Sequence, residues 1–318
     1  MSYKGIQNAY KRIKSYANKT PVMTSSTLNK LTNAKIYFKC ENFQKVGAFK
    51  FRGAFNAICM LTDEEKKHGV ITHSSGNHAQ AVALAASILG IDATIVMPKG
   101  APKNKIEATK GYNAEIEFCE NTLEARIQKT KEIISKKIST LIHPYDNDDI
   151  INGQGTIVYE LIKEVGKLDV VIAPLGGGGL LSGTAIATKY LCPKAQVIGV
   201  EPEMADDAFR SLKAGYIIPS TYPDTIADGL RTSLCERTFN IIQKYVDDVI
   251  TVSEKEIIQA MRFLWERMKI IVEPSGAVPM AAILSKKVSV ENKKTGVILS
   301  GGNIDLNPFF QLLEKKID

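Results

Sequence analysis

One pattern, repeated three times, restricts this chain more than any other feature. A short apolar run ends in a cluster of small residues, and in two of the three cases a helical stretch follows. Val70-Ile71-Thr72 reads as a strand and Ser74-Ser75-Gly76-Asn77-His78 as the turn. Ala79–Leu89 then reads as a helix closed by Gly90, with Ala93–Met97 as the next strand. Val170–Ala173, Gly176–Gly179, Leu180–Leu191 and Val197–Val200 repeat the order. Val297-Ile298-Leu299 runs into Ser300-Gly301-Gly302-Asn303. Strands alternating with helices imply parallel sheets covered by helices. Ligands of such sheets collect beyond the carboxyl ends of the strands, where all three turns fall. The expected fold is α/β: two doubly wound units with mostly parallel sheets and a site in the cleft between them. The smaller unit is placed at residues 53–143, and the larger at 1–52 and 144–318.

Composition removes other classes. With 44% hydrophobic and 24% charged residues in 318, disorder and collagen-like structure are excluded. No apolar run approaches the roughly 18 residues of a membrane span. The start, Met1-Ser2-Tyr3-Lys4-Gly5, lacks a secretory pattern. Five scattered cysteines with no CxxC spacing suit a reducing compartment, and a cytoplasmic enzyme is expected. None of the four histidines pairs at i, i+4, which argues against a histidine-built metal centre. The net charge of +7 is spread over dispersed lysines. That is a solvated surface suited to small anionic substrates rather than to nucleic acid.

The turns carry the chemistry. Gly176–Gly179 lets several backbone N–H groups approach one anion at a helix N-terminus, a phosphate cradle. Four glycines also serve a tight turn. No Gly-Lys-Ser/Thr follows, so it is not a P-loop. Glu201 sits where a ribose-binding acid would, but Ser182 replaces the third glycine of a dinucleotide fingerprint. Ser74–His78 suits a carboxylate, or is an ordinary cap in which Ser75 or Asn77 satisfies the free N–H groups. Lys50 lies between Phe49 and Phe51. Apolar neighbours lower an amine's pKa and make it nucleophilic. An amine, a phosphate cradle and a carboxylate cradle together describe a Schiff base between lysine and a phosphorylated aldehyde, with an amino acid as substrate.

Gly47-Ala48-Phe49-Lys50-Phe51-Arg52-Gly53, Ser74–Gln80, Gly176–Gly179 and Ser300–Asn303 resemble the fold-type-II pyridoxal-phosphate enzymes, over essentially the whole chain. Within them the chain resembles the serine racemase and serine/threonine dehydratase group. The resemblance implies that Lys50 joins the cofactor, Phe49 lies against its ring and Asn77 bonds its 3-hydroxyl. Gly176, Gly177, Gly178 and Gly179 would hold the phosphate, and Ser300 would face the pyridine nitrogen. Ser74, Ser75, Asn77 and His78 would meet the substrate carboxylate.

The resemblance also implies finer assignments. Threonine dehydratases usually carry alanine at the position of Ser75, whereas a hydroxyl there supplies a proton to the face of Cα opposite Lys50. Serine racemisation with side elimination to pyruvate and ammonia is therefore the preferred activity. A serine, threonine or threo-3-hydroxyaspartate dehydratase is the alternative. Glu201, Ala205 and Asp207 resemble a Mg²⁺ or Ca²⁺ site. Ser25, Ser26, Lys45, Gln80, Tyr112, Lys269 and Asn303 match an ATP site between subunits of a homodimer. Val46 and Tyr145 depart from the animal pattern. Arg126 with Asp228 resembles a salt bridge at the site entrance.

Overall fold

A computed structural model describes residues 2–101 and 103–314. Met1 and residues 315–318, assigned above to the larger unit, lie outside it. Ten strands form two sheets: β1 Val22–Met23, β2 Lys35–Cys40, β3 Val70–His73, β4 Ala93–Pro98, β5 Glu115–Cys119, β6 Thr140–Leu141, β7 Val170–Pro174, β8 Gln196–Pro202, β9 Asp248–Val252 and β10 Lys294–Leu299. The larger sheet has the order β1-β2-β10-β7-β8-β9 and the smaller β5-β4-β3-β6. Every pairing is parallel except β1 with β2. Parallel sheets are covered on both faces, which accounts for runs such as Val170–Pro174 that are buried throughout. Among the described residues no helix is long and apolar enough to cross a membrane.

The helices observed begin slightly earlier than the sequence pattern suggests, at Asn77–Leu89 and Gly179–Leu191. Gly90 ends the first with φ of 67°, the left-handed cap that favours glycine.

The helix Lys50–Cys59 joins the two sheets. It crosses the 18-residue helix Asp148–Val165 at glycines. A Cβ on Gly153 would lie 2.6 Å from the Arg52 carbonyl oxygen and the Gly53 Cα, so only glycine permits this approach. Beside the crossing is a buried charge cluster. The Arg52 guanidinium donates to both oxygens of Glu41, at 2.8 and 2.9 Å, and to both oxygens of Glu160, at 2.9 and 2.8 Å. Lys39 Nζ lies 2.9 Å from Glu160 and donates to the Thr20 carbonyl at 2.7 Å. All four charged side chains are buried. Their two positive and two negative charges cancel, as a buried ionic group requires.

Candidate active site

Lys50 is the first residue of its helix, and its segment is sewn to the end of β10. Phe49 N–H donates to the Ser300 carbonyl at 2.9 Å, and Ala48 bridges Gly301. The Lys50 amine donates to the Pro144 carbonyl at 3.0 Å and lies 5.1 Å from the centre of the Phe49 ring. Burial lowers its pKa from 10.5 to about 8. Flanking phenylalanines pointed to such an amine, but the carbonyl of Pro144, ninety-four positions away, had no sequence signal.

Two helix N-termini follow the small-residue turns. The helix Gly179–Leu191 starts from Gly178 (φ 85°), and the helix Asn77–Leu89 starts from Gly76. No side chain of a described residue caps either one. The cap alternative for Ser75 and Asn77 is thereby corrected. Ser74 Oγ accepts from Gly76 N–H at 3.2 Å, and Asn77 is committed elsewhere. Uncapped N–H groups and the dipole behind them favour an anion.

The glycine turn is also crowded. A Cβ on Gly177 would fall 2.3 Å from the Tyr145 ring, and one on Gly176 would fall 2.9 Å from the Leu230 Cα. The tight-turn reading of Gly176–Gly179 matches this crowding, and no side chain of a described residue caps the helix that follows.

Asn77 sits in a knot of side chains. Its Nδ2 donates to Glu273 Oε1 at 2.8 Å, while its Oδ1 accepts from Asn303 Nδ2 at 2.8 Å. The Asn303 amide also donates to the Val46 carbonyl at 2.6 Å. Val46 has a φ of 57°, a strained conformation for a β-branched residue that persists where surrounding bonds impose it. Glu273 was missed by sequence reasoning. It is buried, and burial followed by the charge of Asp228 pushes its carboxyl up to about 8.

Three of the four histidines gather here. His78 is buried and its Nε2 meets the Ile142 carbonyl at 2.9 Å. His143 Nδ1 accepts from the N–H groups of Asp146, at 2.8 Å, and Tyr145, at 3.3 Å. Burial pushes His143 down to about 4, and burial lowers His73 as well.

At the end of β8, Glu201 is fully buried and its Oε2 accepts from Phe209 N–H at 2.8 Å. Neither carboxylate oxygen of Asp207 has a partner among the described residues, and both are buried. Burial, and then the charge of Asp207, raises Glu201 well above the carboxylate range. Burial brings Asp207 to about 6. Ala205 is buried beside them. Two crowded carboxylates without a cation fit a bound hard divalent ion. Among the described residues no three or more His, Cys, Asp or Glu side chains are grouped so that they could hold a metal ion by themselves, so carbonyl and water oxygens would have to complete such a site.

Lys269 and Asn303 line a cavity of about 370 Å³ together with Asn42, Gly47, Trp265 and Gly302. Ser25 caps the helix Ser26–Thr32 through its Oγ. Ser26 is exposed, Gln80 is buried and Tyr112 is half-buried. Lys45 lies over the Phe51 ring at 5.9 Å. The entrance pair differs from expectation: Asp228 bonds Lys105 at 3.0 Å, and Arg126 instead sets its charge beside His73.

A half-buried lysine of lowered pKa and two helix N-termini without side-chain caps are groups that a phosphorylated aldehyde and an amino-acid substrate could use together. Residues 13–301 match the family model described as pyridoxal-phosphate dependent enzyme, and the chain belongs to that family. Its branch is that of the amino-acid racemases and ammonia-lyases. The chain is 50% identical to the L-threo-3-hydroxyaspartate ammonia-lyase of Saccharomyces cerevisiae over 318 residues, covering 100% of this chain and 98% of that one. It is 48% identical to the serine racemase of Schizosaccharomyces pombe over 315 residues, covering 99% and 98%. The crystal structure of serine racemase from Dictyostelium discoideum superposes with a TM-score of 0.92 at 50% identity, covering 96% of this chain and 99% of that chain. The expected family and α/β fold are borne out.

Proposed function

We propose that this enzyme interconverts L- and D-serine and also eliminates water from L-serine to give pyruvate and ammonia. The observation that carries the reading is the placement of Lys50 and Ser75. Phe49, beside Lys50, is tied to the end of β10 of the larger sheet and Ser75 follows β3 of the smaller, an arrangement that supports setting the two on opposite sides of one cleft. Racemisation needs a base on one face of Cα and an acid on the other.

The uncapped turn at Gly176–Gly179 and the amine of Lys50 fit pyridoxal phosphate, with Phe49 against its ring and Asn77 and Ser300 bonding its polar edge. When bound, it supplies an electron sink for the pair left on Cα. The substrate carboxylate is held by Ser74, Ser75 and the N–H groups of Asn77 and His78. The Lys50 amine takes the Cα proton, and the Ser75 hydroxyl returns one to the opposite face. Elimination shares the first transfer but puts a proton on the departing β-hydroxyl, which leaves as water, instead of on Cα, so a mixed product is expected.

Glu201, Asp207 and the Ala205 carbonyl would hold Mg²⁺ or Ca²⁺. ATP at Ser25, Ser26, Lys45, Gln80, Tyr112, Lys269 and Asn303 has narrower support, the cavity shared by Lys269 and Asn303. Around it Phe43 and Ile271 are exposed, which suits a second copy of the chain.

A second reading, elimination from threo-3-hydroxyaspartate with little racemisation, is favoured by the 50% identity to the yeast ammonia-lyase. The cations Lys105 and Arg126 would suit a second carboxylate. Incubation with each substrate, resolving D-serine, pyruvate and oxaloacetate, separates the two. D-serine from L-serine supports the racemase, and oxaloacetate alone refutes it.

A further inference from the structure

We infer that the side chain of His78 is a hydrogen-bond acceptor for the Lys50 amine, held in that role by the Ile142 carbonyl, and that only the His78 main chain faces the substrate. The inference rests on the reading of Lys50 as the base.

The tautomer follows from one contact. A carbonyl oxygen only accepts, so Nε2, 2.9 Å from Ile142 O, carries the ring proton. A neutral imidazole has one N–H, so Nδ1 presents a lone pair. That atom is buried and has no partner among the described residues, in a residue only 3% exposed. The ring stays neutral because burial, and then the nearby charge of Lys50, holds its pKa well below the usual imidazole range. An acceptor repels a carboxylate, so the side chain is unsuited to the substrate's acid group.

Lys50 is the donor that fits. Among the described residues, Lys50 is the lysine whose charge bears on the ring, ahead of His143 and His73. Its amine already donates to Pro144, in the same segment that supplies Ile142 O. A protonated amine has three hydrogens, and the Pro144 carbonyl takes one. The competing donor is the Nε2–H of His143, whose own Nδ1 is occupied by two backbone N–H groups. His78 is thus a positioning residue, holding Lys50 while it carries the Cα proton.

Two substitutions separate this role from a structural one. His78→Gln keeps a donor for Ile142 at the Nε2 position and loses the acceptor. His78→Asn keeps an acceptor at the Nδ1 position and loses the Ile142 bond. The readouts are exchange of the serine Cα hydrogen with deuterated solvent and the pH profile of kcat. His78→Gln is expected to slow exchange about tenfold to hundredfold, the effect of one hydrogen bond to a charged group. It should also move the acidic limb of the profile to lower pH, because the ammonium loses an acceptor. His78→Asn should recover most of that loss. Histidine ¹⁵N shifts in the cofactor-loaded protein should show Nδ1 unprotonated from pH 6 to 9. The reverse order of the two variants, a protonated Nδ1, or a loss in His143→Phe equal to that in His78→Gln would overturn the inference. Lys50→Ala isolates the base reading: if exchange survives there, both readings fall, and if it does not, a reversed order removes the His78 role alone.

Discussion

The two helix N-termini at the site are built from opposite materials. Gly176–Gly179 has no side chains and is pressed on by Leu230, Tyr145 and Thr238. Ser74–His78 carries hydroxyl, amide and imidazole groups, and nothing lies within 4 Å of a Cβ placed on Gly76. Both end a parallel strand and both lack a side-chain cap. The first can bind only through its backbone, so its sequence is constrained by packing. The second offers hydroxyl side chains beside its backbone N–H groups, so its sequence is open to constraint by chemistry as well. Substitutions in the two should therefore fail differently.

The largest difference is expected at Ser75. Ser75→Ala should lower D-serine formation by about 10² to 10⁴, the range for a positioned acid or base, while pyruvate formation from L-serine persists. Chiral chromatography beside a pyruvate assay reads both. Equal losses would erase the distinction between faces of Cα.

Gly177→Ala should act on everything at once. Its Cβ meets Tyr145 at 2.3 Å, so stability is expected to fall by about 1–3 kcal/mol, with weaker cofactor retention and both products reduced in parallel. Adding Tyr145→Ala should restore part of the stability in denaturant titration. A double variant no better than the single one would place the crowding elsewhere.

Acidity near the site gives a third contrast. Asp207 titrates at about 6, above its ordinary 3.8, because it is buried. A raised native pKa means that this group favours the folded state below pH 3.8 and loses that contribution as pH rises through 6. Mg²⁺ or Ca²⁺ should replace the proton, raising Tm at pH 7.5 by a few degrees and leaving it unchanged at pH 4. Asp207→Asn should abolish the increment. An equal increment at both pH values would assign the cation to another place.

The smallest effect belongs to Ser74→Ala. Ser74 Oγ accepts one N–H in a half-exposed turn, and its loss should cost about 1 kcal/mol or less, with KM rising severalfold and kcat little changed. A kcat loss like that of Ser75→Ala would give Ser74 a chemical role.

The strand–turn–helix units were legible because small residues interrupt apolar runs at a fixed place, and the turns they predict are those at the site. Lys50 taken alone reads like any solvated lysine; its two phenylalanines shift that only somewhat, and the two turns and the family resemblance single it out. Glu273 was not, since a single acid in Ile271-Val272-Glu273-Pro274 looks like any exposed charge until the fold buries it against Asn77. The entrance pair failed for a related reason: Asp228 has several cations within plausible reach, and only the placement of Lys105 decides among them.

The charge cluster around Arg52 has a consequence for how such a chain can change over generations. Lys39 and Glu41, Arg52, and Glu160 come from three separate places in the sequence, yet they form one electrically neutral, buried sum. None of them can drift alone. Any inherited route away from this quartet must alter at least two of its members together, so the anchor of the Lys50 helix is conservative by arithmetic.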